Sequence, residues 1–462
     1  MKVVFIGGGA PRVLPIVRGV MASPGVLAGG EIVLFDLNAP RAEAMGRMIM
    51  RTPEYAGTRC RVTWNAPIEK ALDGADAVQI GFAVGSPLAS MRSHAASRSH
   101  GFLSSDQLSP TGAFLALTAG PTILGYARKM ERLCPRAPLI IFANPVAVYS
   151  GLVSNHTRIR AFGVCGGFQN HMWDLTRLMG RDEECADYDV EVAGINHLSF
   201  ILRGTFRGRD LFKVLGRRLG PGWKPPKIQI YLRDHIRWAL RKLRRMLSDF
   251  GTLVFSTEGD GMAHLYYEEC FERSGREARP ATTAQMRASA REGGRRREEA
   301  DRLFRARLDE DLSPAWWAEQ DKKADRTFAR TDHDATVRIL KAFGGAGPQK
   351  VVASLPNGGA VAGFKDRTVL EYSMILDRGR VEPYGDLSVP DAFHGLITGL
   401  ATHQTLLGDA IAAEDPRLLY QALYAYPVKQ ETRESRALFR DLIAIHGDEI
   451  PAVFQETRKF FN

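Results

Sequence analysis

The chain has 462 residues, 45% of them hydrophobic and 25% charged, fractions typical of soluble globular proteins that exclude disorder as the main state. At roughly 100–200 residues per domain the length gives two to four domains. The formal net charge of +10 favours anionic partners. The densest basic runs, residues 241–245 and 295–297, lie in helix-like segments with acids nearby and no interleaved aromatic residues, so they read as solvated helix faces and nucleic acid is not an expected partner.

In chain order, Val3 to Ile6 reads as a buried parallel strand ended by Gly7, Gly8 and Gly9, and Val13 to Met21 follows with helical periodicity. Glu31 to Phe35 is a second strand closing on Asp36, Ala77 to Gly81 a third, Leu139 to Phe142 a fourth, and Ile159 to Val164 a further largely apolar strand. Helices over Pro40 to Met50 and Gly112 to Leu133 fit between them. This alternation predicts a doubly wound parallel sheet with right-handed crossovers. From about residue 190 the pattern changes. Asp189 to Ala193 and Ser199 to Phe206 are strand-like, Ile228 to Phe250 is a long helix, and Ala281 to Glu310 is a charged helical stretch interrupted by Gly293 and Gly294. Val351 to Val361 and Thr368 to Ile375 are strand-like, and the chain is helical from Asp391 on. The expected fold is α/β: an N-terminal Rossmann-type domain over residues 1–195 and an interwoven α+β domain for substrate binding and oligomerisation over 196–462.

Five scattered cysteines without a CxxC pair suit a reducing compartment. The glycine-rich start is not a signal peptide, and the most apolar stretch, Pro138 to Val153, holds Asn144 and Pro145 and is no membrane span. A cytoplasmic protein with no membrane partner is expected.

The first strand, its glycine turn and the following helix form a phosphate cradle. Glycines let the backbone approach a pyrophosphate, and the helix N-terminus supplies N–H donors. Gly7, Gly9, Ala10 and Arg12 are the candidate cradle residues, although Arg12 stands where the strict GxGxxG motif has its third glycine. Asp36 is placed to bind a ribose 2′-hydroxyl, which favours NAD over NADP.

Several blocks in order resemble the NAD-dependent glycosidases of glycoside hydrolase family 4: KVVFIGGGAPRVLP, ALDGADAVQIGFAVGSPLASMR, DQLSPTGAF, CPRAPLIIFANPVAVYS, GVCGGFQNH, GINHLSF, TEGDGMAH and LPNGGAV. The resemblance implies a redox route to glycoside cleavage: NAD takes a hydride from C3 of the sugar, a base removes the acidified C2 proton, the C1 substituent is eliminated, water adds and the hydride returns, outside the usual two-carboxylate scheme. It also implies a divalent metal, usually manganese, on Cys165 and His197, with a Lewis-acid role. By the same resemblance Asn144 contacts the sugar, Asn196 helps orient substrate or nicotinamide, and Asp260 is the base, with Tyr267 as the alternative and His264 as a neighbour. Desolvation would have to raise the Asp260 pKa for that role.

Two departures bear on specificity. Relatives carry a polar side chain soon after the cysteine, where this chain has Gly166, Gly167 and Phe168, which leaves Asp106 and His171 as candidates to protonate the leaving group. In the ASMRSHAA segment, Arg92, helped by His94, is expected to hold an anionic group at C6. The expected substrate is a glycoside of an anionic hexose. Sulfoquinovosides come first, then uronides or neutral α-glycosides, then 6-phosphoglycosides, and the metal is open to loss in so divergent a chain. A simple NAD-dependent sugar dehydrogenase is the rival enzyme and an NAD-sensing regulator the non-enzymatic alternative. The resemblance also implies a homodimer or tetramer.

Overall fold

The computed structural model describes residues 1–23, 25–179, 187–225, 233–255, 260–270 and 281–462. Six short apolar strands form its nucleotide half: β1 (Lys2–Ile6), β2 (Glu31–Phe35), β3 (Arg61–Trp64), β4 (Ala77–Ile80), β5 (Leu139–Ile141) and β6 (Ala161–Gly163). They run parallel in the order β3-β2-β1-β4-β5-β6. Buried on both faces, such strands need continuous apolar side chains, and Val3, Val4, Phe5, Ala77, Val78 and Ile80 are all buried. The chain order reverses between β1 and β4, which opens a crevice at the carboxyl ends of the strands.

Besides the short helix Ile68–Leu72, the helices of this half are α1 (Val13–Met21), α2 (Ala39–Ile49), α3 (Pro87–Ser99), α4 (Pro110–Leu133) and α5 (Val146–His156). The Ser86 and Ser109 side chains cap α3 and α4, each followed by a proline in the first turn, which satisfies amide donors that would otherwise lack partners. No side chain caps α1, whose first turn opens on the crevice.

The second half extends the same sheet with β7 (Tyr188–Ile195), β8 (Leu198–Phe206), β9 (Leu253–Phe255), β10 (Gln349–Pro356) and β11 (Val369–Asp377), in the antiparallel order β6-β10-β11-β7-β8-β9. With two short edge strands, Arg209–Asp210 and Arg380–Pro383, the sheet has 13 strands among the described residues. Besides helices Leu211–Arg218 and Pro416–Tyr424, the second half carries α6 (Gly167–Met179), α7 (Arg233–Phe250), α8 (Asp260–Leu265), α9 (Thr283–Ala306), α10 (Pro314–Lys323), α11 (Ala335–Phe343), α12 (Asp391–Ala413) and α13 (Arg433–Ile445). α12 packs on α4 and α5, and α11 packs on α1 and β10. The buried Arg18 of α1 ties the halves further: it bonds Glu54 at 2.8 and 3.0 Å and Asp321 of α10 at 2.8 and 3.0 Å. Removing one partner from such a buried set costs about 3–5 kcal/mol.

Three details differ from the sequence reading. β3 and α3 were not expected, because neither carries a clean apolar period. α9 runs unbroken through Gly293 and Gly294; two glycines inside a helix cost about 1 kcal/mol each, and the Thr282–Gln285 capping box and the ion pairs of Glu292 with Arg295 and Arg296 support the helix across them. β7 and β8 form one hairpin, each strand longer than the segment read from the sequence, with a bulge between Glu191 and Val192. No helix among the described residues is long and apolar enough to cross a membrane.

Candidate active site

The glycine turn is pinned to the end of β2. Gly7 and Gly8 both donate to the Phe35 carbonyl at 2.9 Å. Gly7 has φ +85°, and a Cβ there would stand 2.6 Å from the Gly81 carbonyl at the end of β4, so only glycine lets the loop close against β4. Asp36 accepts from Gly9 N at 2.9 Å and from Asn38 N at 2.8 Å. Gly7, Gly9, Ala10 and Asp36 therefore form one cradle beside the uncapped start of α1. A hollow of about 860 Å³, counted out to solvent, adjoins it, lined by Gly9, Pro11, Arg41, Met45, Asp301 and Phe328. Arg41 pairs with Asp301 at 2.6 Å and so binds α9 to α2 at its rim. The backbone approach, the open helix start and the acid at the strand end fit a dinucleotide.

Arg12 does not join this cradle. Its guanidinium lies 3.6 Å from the centre of the Phe142 ring and pairs with Asp334, which carries it to the ends of β5 and β6. The side chain is committed there rather than to a phosphate.

At that end, Cys165 lies two residues past β6 and His197 sits in the β7–β8 turn with φ +68°. Cys165 Sγ is 3.4 Å from His197 Nε2. His197 Nδ1 donates to Asp260 Oδ2 at 2.9 Å, and Ser105 Oγ donates to the same oxygen at 2.6 Å. Burial opposes charge on the imidazole, but Asp260 and Cys165 raise the His197 pKa well above the usual value. Burial likewise pushes the Asp260 carboxyl up, but the bonds from His197 and Ser105 outweigh it and hold that pKa below the ordinary one. The raised pKa that the role of base would require of Asp260 is thus not found. Asp260 is arranged to orient His197 and to increase the basicity of Nε2, the role of a carboxylate behind a metal-bound imidazole.

The two atoms, 3.4 Å apart, are close enough to hold one ion between them, and a thiolate with an imidazole is a donor pair that would suit a divalent transition metal. Among the described residues no group of three or more His, Cys, Asp or Glu converges on one point, so oxygens from outside the protein would complete the shell.

The other candidates divide into three groups. Asn144 is exposed at the end of β5, donates to Asp106 Oδ2 at 2.6 Å and accepts from Gln107 Nε2 at 2.5 Å. Asp106 adjoins Ser105, so one loop links Asn144 to Asp260. His94 faces both acids from α3; desolvation lowers its pKa although Asp106 and Asp260 raise it, so it is a neutral ring. Three expected contacts are corrected. Arg92 is exposed and its charge acts on His446; at 100° per residue it lies about 200° round α3 from His94, so the two do not clamp one anion. Asn196 is buried, with Nδ2 donating to Glu371 Oε2 at 2.7 Å. His264 is buried, with Nδ1 donating to the Asp260 carbonyl at 2.6 Å and Nε2 accepting from Tyr426 at 2.9 Å. Both support the site from behind and do not face substrate. Tyr267 donates to the Gly101 carbonyl, and burial pushes its pKa up to about 12, which makes it a poor base near neutrality. His171 lies on α6 and its side chain falls outside the described residues.

Sequence reasoning missed Ser105, Gln107, Glu371 and Tyr426. Glu371 gave a signal, as the lone charge in the apolar run VLEYSMIL. Burial raises its pKa although Asn196 and Ser199 donate to it.

Residues 2–180 match the model of the family 4 glycosyl hydrolases, and residues 192–428 match the model of the C-terminal domain of that family. An α-galactosidase of Bacillus subtilis (strain 168) is 22% identical over 97% of this chain and 99% of its own. An α-galacturonidase of Thermoanaerobacter italicus is 23% identical over 96% of this chain and 95% of its own. The 6-phospho-β-glucosidase of Thermotoga maritima, solved with manganese, NAD+ and glucose-6-phosphate, has the same fold, with a TM-score of 0.73 and 17% identity over 97% of this chain and 99% of that one. A 6-phospho-α-glucosidase from gut microorganisms, solved with NAD and glucose-6-phosphate, superposes with a TM-score of 0.76 at 15% identity over 98% and 99% of the two chains.

Proposed function

Because this chain belongs to the family 4 glycosyl hydrolases, we propose that it is an NAD- and metal-dependent glycosidase that cleaves glycosides of an anionic hexose by transient oxidation, elimination, hydration and reduction. The observation that carries the reading is the meeting of Cys165 and His197, 3.4 Å apart, at the end of the strands that also carry the glycine cradle. When bound, the nicotinamide supplies a hydride acceptor and donor, and the divalent metal polarises sugar oxygens.

The chain's own residues do the rest. The glycine turn and Asp36 hold the dinucleotide, and Cys165 and His197 hold the metal with Asp260 fixing the imidazole. Asn144 hydrogen-bonds the sugar, steadied by Gln107 and Asp106. Asp106 is the group in this reading that moves the C2 proton: it is partly exposed and its Oδ1 has no partner among the described residues, whereas the Oδ2 of Asp260 is tied to both His197 and Ser105. The named relatives act on galactosides, galacturonides and 6-phosphoglucosides, which makes galacturonides and phosphoglycosides the first substrates to try and sulfoquinovosides the next.

The test is turnover of 4-nitrophenyl glycosides bearing carboxylate, phosphate or sulfonate at C6, with NAD and manganese, followed at the nitrophenolate and NADH absorbances together. Many nitrophenolates per NAD with no net NADH are expected. One NADH accumulating per sugar consumed would make the protein a sugar dehydrogenase instead.

A further inference from the structure

The position after the metal-binding cysteine carries no side chain, and the space beside it is bordered by a guanidinium. A Cβ built on Gly166 would stand 3.5 Å from Arg12 Nη1 and 4.0 Å from Phe142 Cζ. The guanidinium that reaches this point comes from the first turn of α1 and is held on two sides. It lies flat on the Phe142 ring, 3.6 Å from its centre, and its Nη2 bonds Asp334. Asp334 is itself fixed, since its other oxygen accepts from Thr336 N at 2.8 Å and caps α11. Stacking and a fixed carboxylate leave the guanidinium little freedom to turn.

Its donors are not used up. A guanidinium has five N–H groups. Nε is buried with no hydrogen-bond partner, and Nη2 is the only nitrogen with one among the described residues. A third of the side chain remains exposed. Nor is its charge cancelled: Arg338, which lines a small hollow with Cys165 and Gly166, faces the same Asp334 from the other side and bonds the Lys350 carbonyl at 3.0 Å. Two guanidiniums therefore lie in the field of one carboxylate, and of the two only that of Arg12 bonds it, while Arg92 is exposed on α3.

We propose that Arg12 is the specificity residue of the sugar site, the unused N–H groups on its Nη atoms holding an anionic oxygen group of the substrate beside Cys165 in the space that a side chain at position 166 would take. A guanidinium keeps its proton at any working pH, so Arg12 binds and orients and does not protonate the leaving group. The inference rests on the reading of the substrate as an anionic hexose.

The experiment uses the full chain with NAD and manganese, in wild-type form and as Arg12→Ala and Arg12→Lys, the latter keeping a charge on α1 should the alanine variant fold poorly. Calorimetry measures the binding of NAD, then of galacturonate, glucose 6-phosphate and galactose to the NAD-loaded protein. Losing charge-assisted hydrogen bonds weakens binding of the charged sugar by about 10- to 100-fold in Arg12→Ala. Galactose and NAD binding change by less than about threefold, and Arg12→Lys recovers part of the loss. Equal losses for charged and neutral sugars, or a loss confined to NAD, would overturn the inference and leave the substrate reading standing. Wild-type protein that binds neither charged sugar would overturn the substrate reading and this inference with it.

Discussion

Gly261 lies so close beneath His197 that a Cβ on it would stand 2.1 Å from the His197 carbonyl oxygen. That approach lets the preceding residue, Asp260, reach His197 Nδ1 at 2.9 Å. Gly261→Ala must push α8 away from the hairpin and lengthen this bond. Loss of an outer-shell partner costs about 10- to 100-fold in metal affinity, so the manganese concentration for half-maximal activity should rise by that factor. Titration of the variant with manganese checks it; an unshifted curve would show that α8 does not position the imidazole.

Asp36→Ala should raise the NAD concentration needed for half-saturation by about 10-fold or more, as expected for a lost hydrogen bond to a charged group. The same change should narrow the preference for NAD over NADP, because the carboxylate that repels a 2′-phosphate is gone. Steady-state kinetics with both cofactors measures the two effects. Gly9 N also loses its acceptor at 2.9 Å, so the cradle itself loosens and part of the loss should appear with NADP as well.

Elimination requires the C2 hydrogen to leave as a proton. A glycoside carrying deuterium at C2 should therefore lose the label to solvent during turnover, and the product's mass spectrum should show protium at that position. Complete retention of the label is incompatible with the proposed route. Asp106→Asn should slow this exchange by at least about 100-fold, the contribution of a positioned base.

Two buried imidazoles predict the response to acid. His403 and His446 have their pKa values lowered to about 4, by burial in both cases, aided at His446 by the charge of Arg92. In the unfolded chain each titrates near 6.5, so between about pH 6.5 and 4 the unfolded state binds more protons. Stability is complete above that window and falls as the pH drops through it, by up to about 1.4 kcal/mol per pH unit for each ring. Urea unfolding at pH 7 and at pH 4.5 should show the loss, and His403→Gln should flatten the slope.

The nucleotide half was legible because it is local: an unbroken apolar strand, three glycines and a helix follow one another within 21 residues, and Asp36 ends the next strand. Cys165 and His197, 32 residues apart, were legible only through the order of the blocks around them, since no spacing rule joins a strand end to a hairpin turn. The partners that tune the pair were not legible. Ser105 reaches Asp260 across 155 positions and Asn196 reaches Glu371 across 175, and such contacts depend on how sheet and helices stack. The lowered pKa of Asp260 was hidden for the same reason, because it depends on the bonded imidazole. Arg92 and His94 were misjudged because α3 lacks an apolar stripe, so nothing in the sequence announced that a helix would place them on opposite sides.

The sheet passes from one half of the molecule to the other through a single paired position, Gly163 of β6 against Ser354 of β10. A protein cut between the two family regions would leave β6 as a raw margin, the kind of open edge on which chains stick to one another. The redox half is therefore no portable cassette. Anyone shuffling sugar preferences among relatives would have to move β10 and β11 together with β6, although the chain makes them nearly two hundred residues later.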